Sequence, residues 1–268
     1  MLIAQITDLH IKPAGALAYG RVDTAPLLAA CVAHLMAQNP RPDVVLATGD
    51  LVDAGRDDEY ARLRELLAPL PMPLLLLAGN HDERAALRRA FDGPAFDYLR
   101  QDTEFVQYAL ALGGLRFLAL DTVVPGAGHG ELCERRLRWL DEQLAEDARP
   151  TIVMLHHPPF ATGIPLMDAL ALRNPAALEE VVARHRHVER LLCGHLHRPI
   201  HCRFGGSVAS TCPSPAHQLA LNLQPGDRGS YILEPPGYQL HLWRDGRLVS
   251  HSVVIGDFPG PYSFGFGG

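Results

Sequence analysis

Residues 73–82 read Pro73-Leu-Leu-Leu-Leu-Ala-Gly-Asn-His-Asp82, "PLLLLAGNHD". Four leucines and an alanine suit a strand buried on both faces, and the run then stops in a glycine, an amide, an imidazole and a carboxylate. A turn needs glycine and tolerates asparagine, but it has no use for histidine. The same event recurs along the chain. Apolar segments end in Asp8-Leu-His10, in Thr48-Gly49-Asp50, in Leu155-His156-His157-Pro158 and in Cys193-Gly194-His195-Leu196-His197. Such tips fit an open α/β sheet, where ligands sit beyond the carboxyl ends of the strands.

The wider pattern agrees. Strands are predicted over residues 2–7, 44–48, 74–78, 117–120, 152–155 and 188–193, separated by helices over 24–38, 58–67, 83–91, 134–146 and 176–185. Thr24 and Asp57 are the expected amino-terminal caps of the first two helices. After about residue 198 the alternation gives way to short segments at 200–204, 207–211, 216–223, 238–243 and 248–254, with turns at Gly205-Gly206 and Asp245-Gly246. These predict a second sheet that is largely antiparallel. Residues 1–255 form one expected domain, and 256–268, "GDFPGPYSFGFGG", an aromatic and glycine-rich tail.

Composition removes several function classes. Of 268 residues, 47% are hydrophobic and 20% charged, ordinary for a globular chain. The formal charge of −6 carries no basic stripe, so a nucleic-acid polymer is not an expected partner. No apolar run approaches the ~18 residues of a membrane span. The amino terminus lacks the basic flank of a signal peptide, and five scattered cysteines suggest reducing surroundings. The expectation is a soluble cytoplasmic protein.

Seven potential donors stand at the tips: Asp8, His10, Asp50, Asn80, His156, His195 and His197. Imidazoles and carboxylates with one amide and no thiolate suit Mn, Fe, Zn or Co. Seven are too many for one ion. If Asp50 is shared, two divalent ions take four donors each, an arrangement suited to phosphoryl displacement. In Asp8-x-His10 and His195-x-His197 the spacing of two puts both donors on one side of an extended backbone. Glycines 49, 79 and 194 permit close approach there.

Asp-x-His, Gly-Asp-x-x-Asp, Gly-Asn-His-Asp, His before Pro-Pro, and Gly-His-x-His, in this order over residues 8–197, resemble the calcineurin-like metallophosphoesterases. The chain is most similar to their class III cyclic-nucleotide phosphodiesterases and glycerophosphodiesterases. The resemblance implies a four-layer αββα sandwich, two mixed sheets flanked by helices. It implies one ion on Asp8, His10, Asp50 and His197, and a second on Asp50, Asn80, His156 and His195. His81 would face the substrate phosphate as catalytic histidine, with Asp53 orienting it. His217, by position, and Tyr19 would touch the substrate. Loops 12–22, 123–133 and 160–173, with the carboxy-terminal strands, would read the leaving group. His157, next to a donor, is expected to pack rather than ligate.

Expected substrates are small phosphodiesters, 3′,5′-cyclic nucleotides first, then glycerophosphodiesters and phosphonate monoesters. A phosphomonoesterase is the rival enzyme, but Ala54 stands where the protein phosphatases of this family place a phosphate-clamping arginine. A non-catalytic scaffold is disfavoured by the full donor set with His81. Similar proteins pair through carboxy-terminal elements, so a homodimer or higher homo-oligomer is expected, with Tyr262, Phe264 and Phe266 as candidate contacts.

Overall fold

A computed structural model describes residues 1–265. The first sheet contains the leucine run. Strands β1 (Leu2–Ile6), β2 (Val44–Thr48) and β3 (Leu74–Leu77) lie parallel, connected through helices α1 (Thr24–Met36) and α2 (Asp57–Leu67), with α3 (Arg84–Ala90) after β3. Every residue of β2 is buried, as a central strand covered on both faces requires.

The second sheet holds β4 (Tyr108–Leu112), β5 (Leu115–Ala119), β6 (Thr151–Leu155), β7 (Val188–Cys193), β8 (His201–Phe204) and β9 (Ser207–Thr211), in the order β4-β5-β6-β7-β9-β8. Its four inner strands are parallel and its two edges antiparallel. Helices α4 (Glu134–Glu146) and α6 (Pro175–Arg184) lie before β6 and β7. Side chains along these strands alternate between two cores. Phe117, Ile152, Met154 and Leu192 join the core of the first sheet, whereas Leu118, Val153, Leu155 and Leu191 pack with Leu140 of α4 and Leu178 of α6. A period of two that serves two cores places one sheet against the other and helices outside, giving four layers.

The expected antiparallel second sheet does not form. Instead β12 (Gly237–Arg244) and β13 (Arg247–Val254) extend the first sheet, with β12 antiparallel to β1 in the register Leu2↔Leu242. The β8–β9 hairpin extends the second, β9 running parallel to β7. Each hairpin covers a strand edge that would otherwise leave backbone groups unpaired. Predicted strand 216–223 shrinks to β10 (Gln218–Leu219), paired with β11 (Tyr231–Ile232).

The helix caps move by one residue, to Asp23 for α1 and Arg56 for α2. The Thr24 hydroxyl instead donates to the His10 carbonyl at 2.9 Å, bracing a donor tip. No helix among the described residues is long and apolar enough to cross a membrane. Phe258 and Tyr262 of the tail are exposed, and Phe266 lies outside the described residues.

Candidate metal centre

The strands stop one or more residues short of their polar tips, and the backbone then turns left-handed. Asp8, His10, Asp50, His195 and His197 have φ of 53°, 45°, 48°, 72° and 50°. Among the described residues the other non-glycine cases are Tyr19, beside the same cleft, and Asp245, in the β12–β13 turn. That conformation costs on the order of 1 kcal/mol or more per residue, so five together require compensation. The two-residue spacing therefore works through left-handed turns, not through the extended backbone expected.

Compensation comes from bonds between tips. Asp8 N–H donates to the Gly49 carbonyl and His10 N–H to the Asp50 carbonyl, both at 3.0 Å. His195 N–H donates to both Asp8 carboxylate oxygens, at 2.9 and 3.0 Å. Close approach is built in. A Cβ on Gly79 would collide with the Asp50 carboxylate, and one on Gly194 would lie 2.6 Å from the Thr48 carbonyl.

The donors converge. The Asp50 Oδ2 lies 3.3 Å from His156 Nε2 on one side and 3.8 Å from His10 Nε2 on the other. The Asn80 Oδ1 is 3.2 Å from His156 Nε2, His197 Nε2 is 3.2 Å from His10 Nε2, and Asp8 Oδ1 is 3.4 Å from His197 Nε2. Ligands held about 2.1 Å from a common ion stand roughly 3–3.5 Å apart, which all these spacings match except the longer one from Asp50 to His10.

Tautomers agree as well. His156 Nδ1 donates to the Thr48 carbonyl at 2.9 Å, and His197 Nδ1 to the His217 carbonyl at 2.8 Å. Each ring, once its Nε2 proton is displaced, turns that lone pair inward. Facing the oxygens of Asp50 and Asn80, the His156 lone pair needs a cation between, whether proton or metal. His195 Nε2 is buried without any partner. The residues fit a pair of divalent ions.

Charge tells the same story. Burial alone would neutralise Asp8 and Asp50, but neighbouring imidazoles outweigh it. His197 and His156 hold Asp8 down to about 2, and His156 with His10 hold Asp50 well below the usual range. Reciprocally, burial lowers His156, but Asp50 and Asp8 overcome this and raise it to about 9. Burial and then His156 push His195 down to about 3, leaving it neutral.

His81 borders the cluster, its ring 4.7 Å from that of His10. Its Nδ1 donates to the Asp53 main-chain carbonyl at 2.7 Å, and its N–H to Asp50 Oδ1 at 2.9 Å. Asp53 therefore holds His81 through its backbone. Its carboxylate pairs with Lys12 and lies 3.6 Å from His10 Nδ1. His217 is buried inside the cluster, its ring 4.6 Å from that of His197, with Tyr19 edge-on at 5.2 Å. His157 turns its Nδ1 to the Thr122 hydroxyl at 2.7 Å, and its ring packs 4.7 Å from that of His195. Of the expected loops, 12–22 and 160–173 line the cleft, and 123–133 contributes no described lining residue.

Several supporting residues escaped the sequence reading. The Asp82 carboxylate accepts from the N–H groups of Gly79 and Leu51 and from the Tyr60 hydroxyl, fixing the β2 and β3 tips together. Buried Gln5, in mid-strand, donates through Nε2 to Thr48 Oγ1 and to the Cys193 carbonyl, both at 3.0 Å. One amide thus ties the tip of the first sheet that braces His156 to the tip of the second that leads into His195. Its Oε1 faces His241 Nε2 at 3.2 Å, and His241 Nδ1 faces the Ser250 hydroxyl at 2.8 Å. A buried glutamine in a strand buried along nearly its whole length carries no motif, so composition alone could not mark it.

Comparison with known proteins follows the same outline. A family model described as calcineurin-like phosphoesterase matches residues 1–199. The probable glycerophosphodiester phosphodiesterase GpdQ of Arcobacter nitrofigilis is 34% identical over 267 residues, which cover 98% of this chain and 97% of that protein. The 3′,5′-cyclic adenosine monophosphate phosphodiesterase CpdA of Pseudomonas aeruginosa is 34% identical over 261 residues, covering 96% and 91%. A solved dimetal phosphatase from Danio rerio superposes with a TM-score of 0.64 at 16% identity, covering 96% of this chain and 99% of that one, a likeness of fold.

Proposed function

Since this chain belongs to the calcineurin-like phosphoesterase family and is a metal-dependent phosphodiesterase, we propose that it hydrolyses small diesters, 3′,5′-cyclic nucleotides foremost. Glycerophosphodiesters are the second reading, favoured by a relative of equal identity.

The observation that carries the proposal is the place of Asp50, its carboxylate between His10 on one side and His156 on the other. In this reading Asp8, His10, Asp50 and His197 hold one ion, and Asp50, Asn80, His156 and His195 hold the second. Bound there, two divalent cations supply Lewis-acid activation and offset charge on the phosphoryl oxygens. The chain's own groups do the rest. With Nδ1 engaged by the Asp53 carbonyl, His81 has Nε2 left for substrate. Before ions bind, burial opposes its protonation, but Asp50 and the Asp53 carbonyl outweigh it and raise its affinity for a proton. A protonated Nε2 donates to a phosphoryl oxygen or to the departing alkoxide. His217 and Tyr19 bound the side where the organic part of the substrate enters.

A diester suits the cleft better than a monoester. Among the described residues no lysine or arginine lines it, so the second charge of a monoester meets no counter-ion there. The test compares turnover of bis(p-nitrophenyl) phosphate and p-nitrophenyl phosphate by the metal-loaded protein. Faster diester turnover is expected, and faster monoester turnover would overturn the assignment.

A further inference from the structure

Opposite the donor tips the cleft has a wall of another kind. A cavity of about 290 Å³ opens above His10, Asp50, Asn80 and His195, and its far side is made of Leu166, Met167, Leu170, Leu219 and Tyr231. Leu166 and Met167 belong to α5 (Pro165–Ala169), Leu219 and Tyr231 to the β10–β11 ribbon. These pieces come from distant parts of the chain and close directly on each other. A Cβ on Gly229 would run into Leu166, so the ribbon packs against α5 with bare backbone. The ribbon gains one more rung from the Ala220 N–H donating to the Ser230 carbonyl at 2.8 Å. Arg198 adds a bond to the Leu219 carbonyl at 2.7 Å. The Tyr231 ring stacks on Tyr19 with centroids 4.8 Å apart and planes 24° apart, and meets His217 edge-on at 5.6 Å.

We infer that this wall selects the leaving group, and that Tyr231 with Leu166 favours diesters bearing a flat aromatic moiety over those bearing a glycerol-type polyol. The inference rests on the diesterase reading above. Two observations carry it. The wall is apolar and aromatic, with the Ser230 and tyrosine hydroxyls as its few side-chain polar groups, whereas a polyol needs several partners to replace the water it gives up. It is also packed, the Gly229 backbone before β11 lying against the Leu166 side chain of α5, so a flat group meets a surface already formed. A nucleobase or aryl ring set against Tyr231 gains stacking and apolar burial, whereas glycerol gains neither.

The test measures kcat/KM for cyclic AMP and for glycerophosphoethanolamine in wild-type, Tyr231→Ala, Tyr231→Phe and Leu166→Ser proteins. Tyr231→Ala is expected to lower the cyclic AMP to glycerophosphoethanolamine ratio about tenfold, mainly through a higher KM for cyclic AMP. Tyr231→Phe should restore the ratio, and Leu166→Ser should shift it in the same direction as Tyr231→Ala. A ratio unchanged in both Tyr231→Ala and Leu166→Ser overturns the inference, as does an equal loss on both substrates. If Tyr231→Ala does not fold, Leu166→Ser decides alone, its side chain being 37% exposed. A wild-type protein that hydrolyses neither substrate with Mn restored would refute the diesterase reading itself.

Discussion

The floor of the cleft and the wall above it are built from different material. The floor takes its side chains from beyond the ends of parallel strands in both sheets, all within four residues of β1, β2, β3, β6 or β7. Its backbone is held in a costly left-handed form at five donors. The wall comes from a five-residue helix and a ribbon of two-residue strands, and its groups are leucine, methionine and tyrosine. Rigid strand ends hold charged atoms to a few tenths of an ångström, as a metal cage needs. Leaving-group selection needs only shape and apolar area, which short loop-borne elements supply and can vary without disturbing the cage. On the proposal above, the reaction would reside at the strand ends and the substrate choice in the connections.

The sharpest way to break that division is at His81. Replacing it with alanine should lower kcat on cyclic AMP by about 10²–10⁴-fold while metal content stays as in the wild type. A loss below tenfold would remove His81 from the chemistry. The next effect tests whether the floor is held from behind. Gln5→Leu keeps volume but deletes the bonds to Thr48 and Cys193, and should weaken metal affinity about 10–100-fold by calorimetry. Wild-type affinity in a folded variant would make Gln5 a mere filler.

The smallest effect concerns the outer end of the same chain of bonds. Burial, then Arg190, pushes His241 down to about 3, against about 6.5 in an unfolded chain. The folded state thus binds fewer protons than the unfolded one between these values. Stability should fall as pH drops below 6.5, by up to ~1.4 kcal/mol per unit from this group. Above 6.5 it contributes no slope. Urea unfolding at pH 7, 6 and 5 should show a flatter dependence in His241→Gln, and identical slopes would contradict the assignment.

Much of the floor was legible because its donors sit in short motifs at the ends of strong apolar runs. Asn80 and His81 follow Leu74–Leu77 so closely that the strand fixes where they go. What stayed hidden depends on tertiary contact. Nothing in Asp8-Leu-His10 announces positive φ, since only the bonds from Gly49, Asp50 and His195 make it tolerable. His81 is held by a main-chain carbonyl, and every residue has one, so the eye goes wrongly to the Asp53 side chain. Strand β4 reads "YALAL", too short and too apolar throughout to show an edge. The hairpin at Asp245-Gly246 was readable as a turn, but which sheet it joined was settled by the open edge of β1, a fact of topology. Tyr231 lies in a stretch of glycine, proline and charge with no periodicity, so that part of the wall had no local signal.

The claim beneath everything else is that both sheets supply one cage around a shared carboxylate. Calorimetric titration of metal-stripped protein with Mn, for the wild type and for Asp50→Asn, tests it most directly. Two equivalents per chain are predicted for the wild type, and no more than one tight equivalent for the variant. A single equivalent in the wild type, or two undisturbed by the loss of the Asp50 carboxylate, would contradict it.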